Sequence, residues 1–391
     1  MNSDNQLQQG LDSGAKALPL PDSSSAPPPM QTQYPFYFSG NAAEYFRIWI
    51  VNLLLSIATL GIYSAWAKVR RKRYFYGNTW VSDSNFEFHG NPLSILKGRV
   101  IAVIALAAYS GAGYVSPRLA AALFLLLALC APWFIARTFA FNAHYSSYRQ
   151  IRFRNTATAK AVFFAIWPFL LVPVSALLFS PELDREVKGL TAAQWIGALL
   201  PLVIGLFAYP YVFGAIKRLH INCSQYGNAP FAMSAGYGSF YKIYFKAYLV
   251  LIGGVFAFGL TAAIAITLLP AIAFVLLPLI YLITGAFFLG YLRSRIGNLV
   301  FNSTTLADSA HFASTLSATK LAYIYLTNLL AITVSLGLMV PWAVVRIARY
   351  RSESLMLQCH GDLETFVAQI GQEVAATGEE IGEFFDFDLS L

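Results

Sequence analysis

Polar positions in this chain are sparse and grouped, and the apolar stretches between them are long. Eight segments read as apolar, at about 48–66, 100–115, 119–136, 161–179, 196–215, 247–268, 271–290 and 321–345. None has Asp, Glu, Lys or Arg in its interior. A helix needs about 20 such residues to cross a bilayer, so the pattern predicts an all-α, polytopic membrane protein. A soluble bundle would have to hide 247–268 and 271–288 from water on every side. Gly and Pro recur inside the segments (Pro168, Pro173, Gly253, Gly254), which membrane helices tolerate where neighbours satisfy the freed backbone groups.

The ends differ from the middle. Residues 1–35, with runs such as LPDSSSAPPPMQTQYP, are rich in Ser, Pro, Gln and Asp and predict a disordered tail. No basic stretch leads into an apolar core there, so this is not a signal peptide. Residues 36–360 form the membrane domain. Residues 361–391 are acidic, and Phe366, Ile370, Val374 and Ile381 recur near helical spacing. They predict an amphipathic helix and an acidic-aromatic end. The helix suits either the protein's own basic surface or a protein partner.

Composition sharpens this picture. Charged residues are 12%, hydrophobic residues 57%, and the mean hydropathy is +0.56, against about 25% charged residues in soluble domains. The net charge is +8. Nearly all Lys and Arg lie in the membrane domain, while most acids lie outside it. The connections after the first, third, fifth and seventh segments carry 7, 5, 4 and 3 basic residues. The intervening ones hold Arg118, then Arg185 and Lys188, then none. The positive-inside rule puts the rich connections in the cytoplasm, and helical hairpins then occupy 100–136, 161–215 and 247–290.

The first and last segments resemble each other. Each has an early Asn (Asn52, Asn328), a central Gly (Gly61, Gly337) and then Trp-Ala before a basic helix (Trp66, Trp342). Full spanning gives eight spans. Bending back at the glycine gives six spans and two re-entrant hairpins. FYFSG at 36–40 and FEFHG at 86–90 flank the first segment and favour the second topology, if both belong in one compartment. Segment length favours the first.

A basic residue followed five positions later by Asn recurs after the segments: Arg73/Asn78, Arg137/Asn142, Lys217/Asn222 and Arg293/Asn298, with Arg349/Ser354 as a decayed copy. Recurrence of this kind suggests an internal repeat. Two roles fit it. The pairs anchor and cap each unit, or they converge on a cytoplasmic vestibule that binds an anionic group. Lys68, Arg70, Arg71 and Lys72 form the densest charge and read as contacts to anionic lipid. Nucleic acid is not an expected partner, because the basic residues sit in short loops between spans. Cys130, Cys223 and Cys359 have neither disulfide nor metal spacing. The five His residues share no position within the units, so neither a metal nor another cofactor is expected. No catalytic motif is present, which speaks against an enzyme.

The run FSGNAAEYFRIWIVNLLLSIATLGIYSAWAKVRRKRYFYGNT, then FEFHGNPLSILKGR, is similar to the opening of the bacterial YjgN family. PWAVVRIARYR and EEIGEFFDFDLSL resemble its C-terminal part. Ala65 departs from a frequent Pro of that family, which Pro341 retains in the last copy. The resemblance implies an inner-membrane protein of a Gram-negative-type bacterium and implies no activity. With no acid inside a segment, coupling to protons or sodium through intramembrane carboxylates is not expected. Two functions remain: passage or binding of a small or amphipathic molecule, or a membrane scaffold that recruits a partner through the acidic tail.

Overall fold

The computed structural model describes residues 31–179, 192–268, 270–307 and 309–377. The expected polar tail, apart from its last five residues, the acidic end from 378 onward, and the connection bearing Arg185 and Lys188 lie outside them.

The all-α expectation is overturned. Between the helices the chain forms ten short strands that close into an antiparallel barrel. Four hairpins follow one another: β2 (Thr79–Val81) with β3 (Ser84–Phe88), β4 (Ser146–Tyr148) with β5 (Ile151–Asn155), β6 (Ser224–Tyr226) with β7 (Ala229–Met233), and β8 (Thr304–Leu306) with β9 (Ala310–Ser314). The fifth unit joins the two ends of the described chain. β1 (Gln31–Phe38) pairs with β10 (Leu355–His360) through Gln31↔His360 to Pro35↔Met356, and with β2 through Phe36↔Val81 to Phe38↔Thr79. Closure leaves no free sheet edge. The strands escaped the apolar pattern because most are three or five residues long and lie inside the basic connections. Their turns carry the left-handed residues that tight hairpins require: Ser82 (φ 49°), Arg149 and Gln150 (φ 45° and 68°), and Gly227 (φ 54°).

Helical hairpins alternate with these strands. They are α1 (Ala42–Ala58) with α2 (Ser64–Gly77), α3 (Pro92–Val115) with α4 (Pro117–His144), α5 (Ala159–Phe179) with α6 (Ala192–Asn222), α7 (Tyr237–Leu268) with α8 (Pro270–Asn302), and α9 (Ala318–Val334) with α10 (Val340–Glu353). Neighbouring hairpins pack α2 on α3, α4 on α5, α6 on α7, α8 on α9 and α10 on α1, so the helices also form a ring.

Five helices among the described residues are long and apolar enough to span a membrane: Pro92–Val115, Arg118–His144, Trp195–Asn222, Tyr237–Ile264 and Leu276–Asn302. The apolar helices Ala159–Ser175 and Ala318–Val334 are shorter. The eight-segment count fails at its ends. The first segment breaks at Leu60 and Gly61 (φ 51° and 90°), and the last at Leu336 and Gly337 (φ 51° and 93°). Each returns to the barrel as α2 or α10. FYFSG and FEFHG end equivalent strands of one barrel. Gly40 and Gly90 are glycines because the rings of Phe38 and Phe88 occupy the space of a Cβ, at 2.5 and 2.4 Å. Asn41 and Asn91 then cap α1 and α3, each accepting an amide hydrogen bond of 2.9 Å.

All ten strands send apolar side chains into the barrel. Phe36, Phe86, Phe153, Phe231 and Phe312 take equivalent positions, and successive members stack at 6.3–6.4 Å. Beside them, Tyr226 donates to the carbonyl of Tyr148 (3.0 Å) and Tyr148 to that of Val81 (2.8 Å). Each hydroxyl thus reaches the equivalent residue of the preceding hairpin, which satisfies the buried oxygens. α11 (Leu363–Thr377) covers the mouth formed by the hairpin turns, with Leu363, Val367 and Ile370 buried in the barrel core.

Candidate functional site

The repeated basic-and-Asn pairs share a spacing but not a structural position. Asn78 directly follows α2, whereas Asn142, Asn222 and Asn298 lie three, one and five residues before Tyr145, Cys223 and Ser303, which follow α4, α6 and α8. Three of the asparagines tie helix ends to strands or the residues beside them, and Asn142 ties α4 to α2. Asn78 Oδ1 accepts from the Ser39 hydroxyl (2.9 Å), and its amide donates to the Tyr74 carbonyl (2.8 Å). Asn222 Oδ1 accepts from the Met233 amide (2.8 Å). Asn298 Oδ1 accepts from the Leu316 amide and the Ser314 hydroxyl (both 2.9 Å), and its Nδ2 donates to the Leu316 carbonyl (3.0 Å). Asn142 accepts from Lys72 Nζ and donates to the Thr138 carbonyl (2.8 Å).

The basic members divide. Arg73 donates to the Phe88 carbonyl (3.3 Å), and Arg349 to the Gly40 carbonyl (3.0 Å). Arg73 therefore ties α2 to the end of β3, and Arg349 ties α10 to the residues just after β1. Arg137 lies over the ring of Trp133, 5.6 Å from its centre. Lys217 and Arg293 are brought together. Lys217 on α6 lies within electrostatic range of Arg293 on α8 and of Arg351 on α10. Tyr325 on α9 senses both arginines, and Tyr244 on α7 senses Arg293. Among the described residues no carboxylate forms an ion pair with these three cations. They come from three successive helical hairpins; Arg293 and Arg351 are exposed and Lys217 half-buried, so solvent screens part of their mutual repulsion. An anion placed there would offset what remains.

Two further contacts extend this collar towards the first hairpins. Lys72 of α2 reaches Asn142 of α4 and lies over Phe88, 4.4 Å from the ring centre. Burial, with the Lys68 charge nearby, holds the Lys72 amine down to about 8. His220 of α6 lies 4.4 Å from the ring of Phe139 on α4. Of the expected lipid contacts, Lys68, Arg70 and Arg71 are exposed. Arg70 lies over Tyr63 and Arg71 over Phe75. Lys72 turns inward instead. Sequence reasoning missed Arg351, which follows no motif; only its place in the last turn of a basic helix pointed to it.

The chain matches the family model described as bacterial protein of unknown function (DUF898) over residues 33–384. It is 25% identical to the inner membrane protein YjgN of Salmonella typhimurium over 356 residues, 84% of this chain and 89% of that protein. It is 47% identical to the inner membrane protein YjgN of Escherichia coli K12 over 53 residues, 14% of this chain and 13% of that protein. No solved structure matches it. With five membrane-length apolar helices and these relatives, the chain is a multi-pass inner-membrane protein, and it belongs to the DUF898 family.

Proposed function

We propose that the protein binds an anionic, amphipathic small molecule at the collar where the helices meet the barrel, and holds it or passes it on. The observation that carries this reading is the gathering of Lys217, Arg293 and Arg351 with no carboxylate partner among the described residues. The charge asymmetry of the connections supports a cytoplasmic side for the barrel and the collar. Tyr244 and Tyr325, within electrostatic range of Arg293, supply apolar faces and hydroxyls, a combination suited to a molecule with a charged head and an apolar body. The apolar segments contain no carboxylate, so the cycle does not use one for ion coupling.

Native mass spectrometry in mild detergent with stepwise delipidation tests this. A defined bound mass that survives delipidation, disappears in Arg293→Ala and Arg351→Ala, and persists in Arg137→Ala supports the reading. Bare protein, or equal loss in all three variants, refutes it.

The scaffold reading places a partner on the acidic C-terminal segment. The apolar side of α11 is already spent on the barrel through Leu363, Val367 and Ile370. A partner would therefore meet only the outer polar side or the residues after 377. Deleting residues 378–391 and comparing the co-purifying proteins tests that reading, and an unchanged set counts against it.

A further inference from the structure

The first and last helical hairpins superimpose residue for residue in role. Tyr74 receives the Asn41 amide (2.8 Å) as Tyr350 receives the Ser317 amide (2.9 Å). Counting from these caps, Asn52 corresponds to Asn328, Arg70 to Arg346, Glu44 to Lys320, Arg47 to Tyr323, and Gly77 to Glu353. The two hairpins keep the Asn and the Arg and diverge at the other three positions.

In the last hairpin a groove of about 510 Å³ opens between α9 and α10, lined by Lys320, Tyr323, Arg346, Arg349, Tyr350 and Glu353 among others. Arg346 is held in place before any ligand arrives. Its Nη1 donates to Thr327 Oγ1 (2.6 Å) and Asn328 Oδ1 (3.2 Å), and its guanidinium lies over Trp342 and Tyr323, 5.1 and 5.7 Å from the ring centres. Only one of its nitrogens is used this way, so Nε and Nη2 remain for a ligand among the described residues. Arg349 spends Nη2 on the Gly40 carbonyl. Lys320 is exposed, and no described carboxylate pairs with it. Three cations against the single Glu353 leave the groove net positive. In the first hairpin the buried Asn52 Oδ1 has no hydrogen-bond partner among the described residues, while Arg70 lies over Tyr63. There Glu44 stands in the place of Lys320, and the Tyr74 hydroxyl donates to it (3.3 Å).

We propose that the α9/α10 groove is a binding site for a phosphate ester, supplied by the headgroup of an anionic membrane lipid. A preset guanidinium with free donors beside a mobile amine is phosphate-binding chemistry. A lipid is favoured over a free phosphate because α9 continues from the groove as exposed apolar surface, Leu329, Leu330 and Val334, along which acyl chains lie. Trp342 at its side is the residue type found at headgroup depth. The site shares no side chain with the collar of Lys217, Arg293 and Arg351, so the two readings stand or fall separately.

The test uses the full chain, delipidated in detergent and titrated with phosphatidylglycerol, phosphatidylcholine or inorganic phosphate, with bound lipid counted by native mass spectrometry. Lys320→Glu, which installs the charge of the first hairpin on an exposed position, should weaken phosphatidylglycerol binding about tenfold or more and leave phosphatidylcholine unchanged. Lys320→Arg should retain binding. Arg346→Gln should weaken it too, with a melting curve to separate loss of fold from loss of site. Equal phosphatidylglycerol binding in wild type, Lys320→Glu and folded Arg346→Gln overturns the proposal. Inorganic phosphate competing at concentrations similar to the lipid overturns the lipid assignment.

Discussion

Ile370 offers the most direct measure of how firmly α11 closes the barrel mouth. It is 5% exposed, and its Cγ2 would lie 2.7 Å from a Cβ at Gly227, with Val374 Cγ2 at 2.8 Å. The contact is therefore close enough that glycine is the only residue leaving room beneath it. Truncation to alanine removes three buried carbons and leaves a cavity, a change that costs about 2–5 kcal/mol in well-packed cores. Gly361 (φ 92°) turns the chain between β10 and the helix, and no strand of the barrel runs through 363–377, so the strand ladder does not itself depend on the docked helix. The cost then falls on docking, not on the whole fold. At about 1.4 kcal/mol per tenfold change, the undocked population rises roughly 30-fold or more. Amide hydrogen exchange across 363–377, followed by mass spectrometry in detergent, reads this directly: Ile370→Ala should accelerate exchange there by that factor and leave the strands unchanged. Glu364→Ala is the control. Its pair with Arg149 at 3.9 Å involves a largely exposed carboxylate and contributes under about 1 kcal/mol. If Ile370→Ala accelerates exchange no more than Glu364→Ala, α11 is not held by its apolar side, and the account of the covered mouth is wrong.

Three further outcomes follow from close contacts and from charge. A Cβ at Gly290 would lie 2.6 Å from the Ala322 amide nitrogen and 2.9 Å from the Ala318 carbonyl, backbone that cannot swing aside. Gly290→Ala should therefore separate α8 from α9 and cost about 1–3 kcal/mol in a thermal melt, whereas Gly253→Ala, with open space around it, should be neutral or stabilising. Gly90→Ala should cost a similar amount through the Phe88 ring, and Phe88→Met should relieve it, because Met233 at the end of β7 and Ala235 two residues later hold the corresponding places. A double-mutant cycle showing no coupling would refute that link. Lys72 has its folded value lowered to about 8 from an ordinary 10.5. Between those values the unfolded chain binds the proton and the folded chain does not, so stability should rise as pH climbs from about 8 to 10.5 and show no Lys72 slope below that window. Lys72→Gln should flatten the rise in a urea or thermal series, and an identical slope in the variant would remove the assignment.

The long helices were legible because burial in lipid leaves an uninterrupted apolar run, and α3 to α8 fall where the hydropathy puts three hairpins. The bends at Leu60–Gly61 and Leu336–Gly337 were legible only in part: a central glycine marked the place, but 19 or more uncharged residues suggest a span equally well. The barrel was hidden for a physical reason. A strand of three residues, such as Thr79–Val81, offers one inward side chain near its turn, too few for an alternation to register. Gly227-Asn228 is a turn whose residues announce themselves, and Arg149-Gln150 takes a left-handed backbone at both positions with residues that do not. The Phe-x-Phe-x-Gly runs were visible as a likeness between two segments, and their meaning, a ring lying over a glycine, required coordinates. At the site, the basic-and-Asn spacing drew attention to Lys217 and Arg293 but placed Arg73 and Arg137 in the same set, although these contact a strand carbonyl and a tryptophan. Sequence spacing alone does not encode which side of a helix faces the ring interior.

The pairing of β1 with β10 has a consequence for biogenesis. Gln31 and His360 are partners, so the first strand to leave the ribosome completes its bonding only when the last strand arrives. At bacterial synthesis rates of about 5–20 residues per second, the first strand waits roughly 15–65 s. Helical hairpins enter the membrane during that interval, while the growing sheet keeps two open edges exposed to any other nascent chain. A chain halted anywhere before Leu355 lacks the strand that pairs with both β1 and β9, so its sheet stays open.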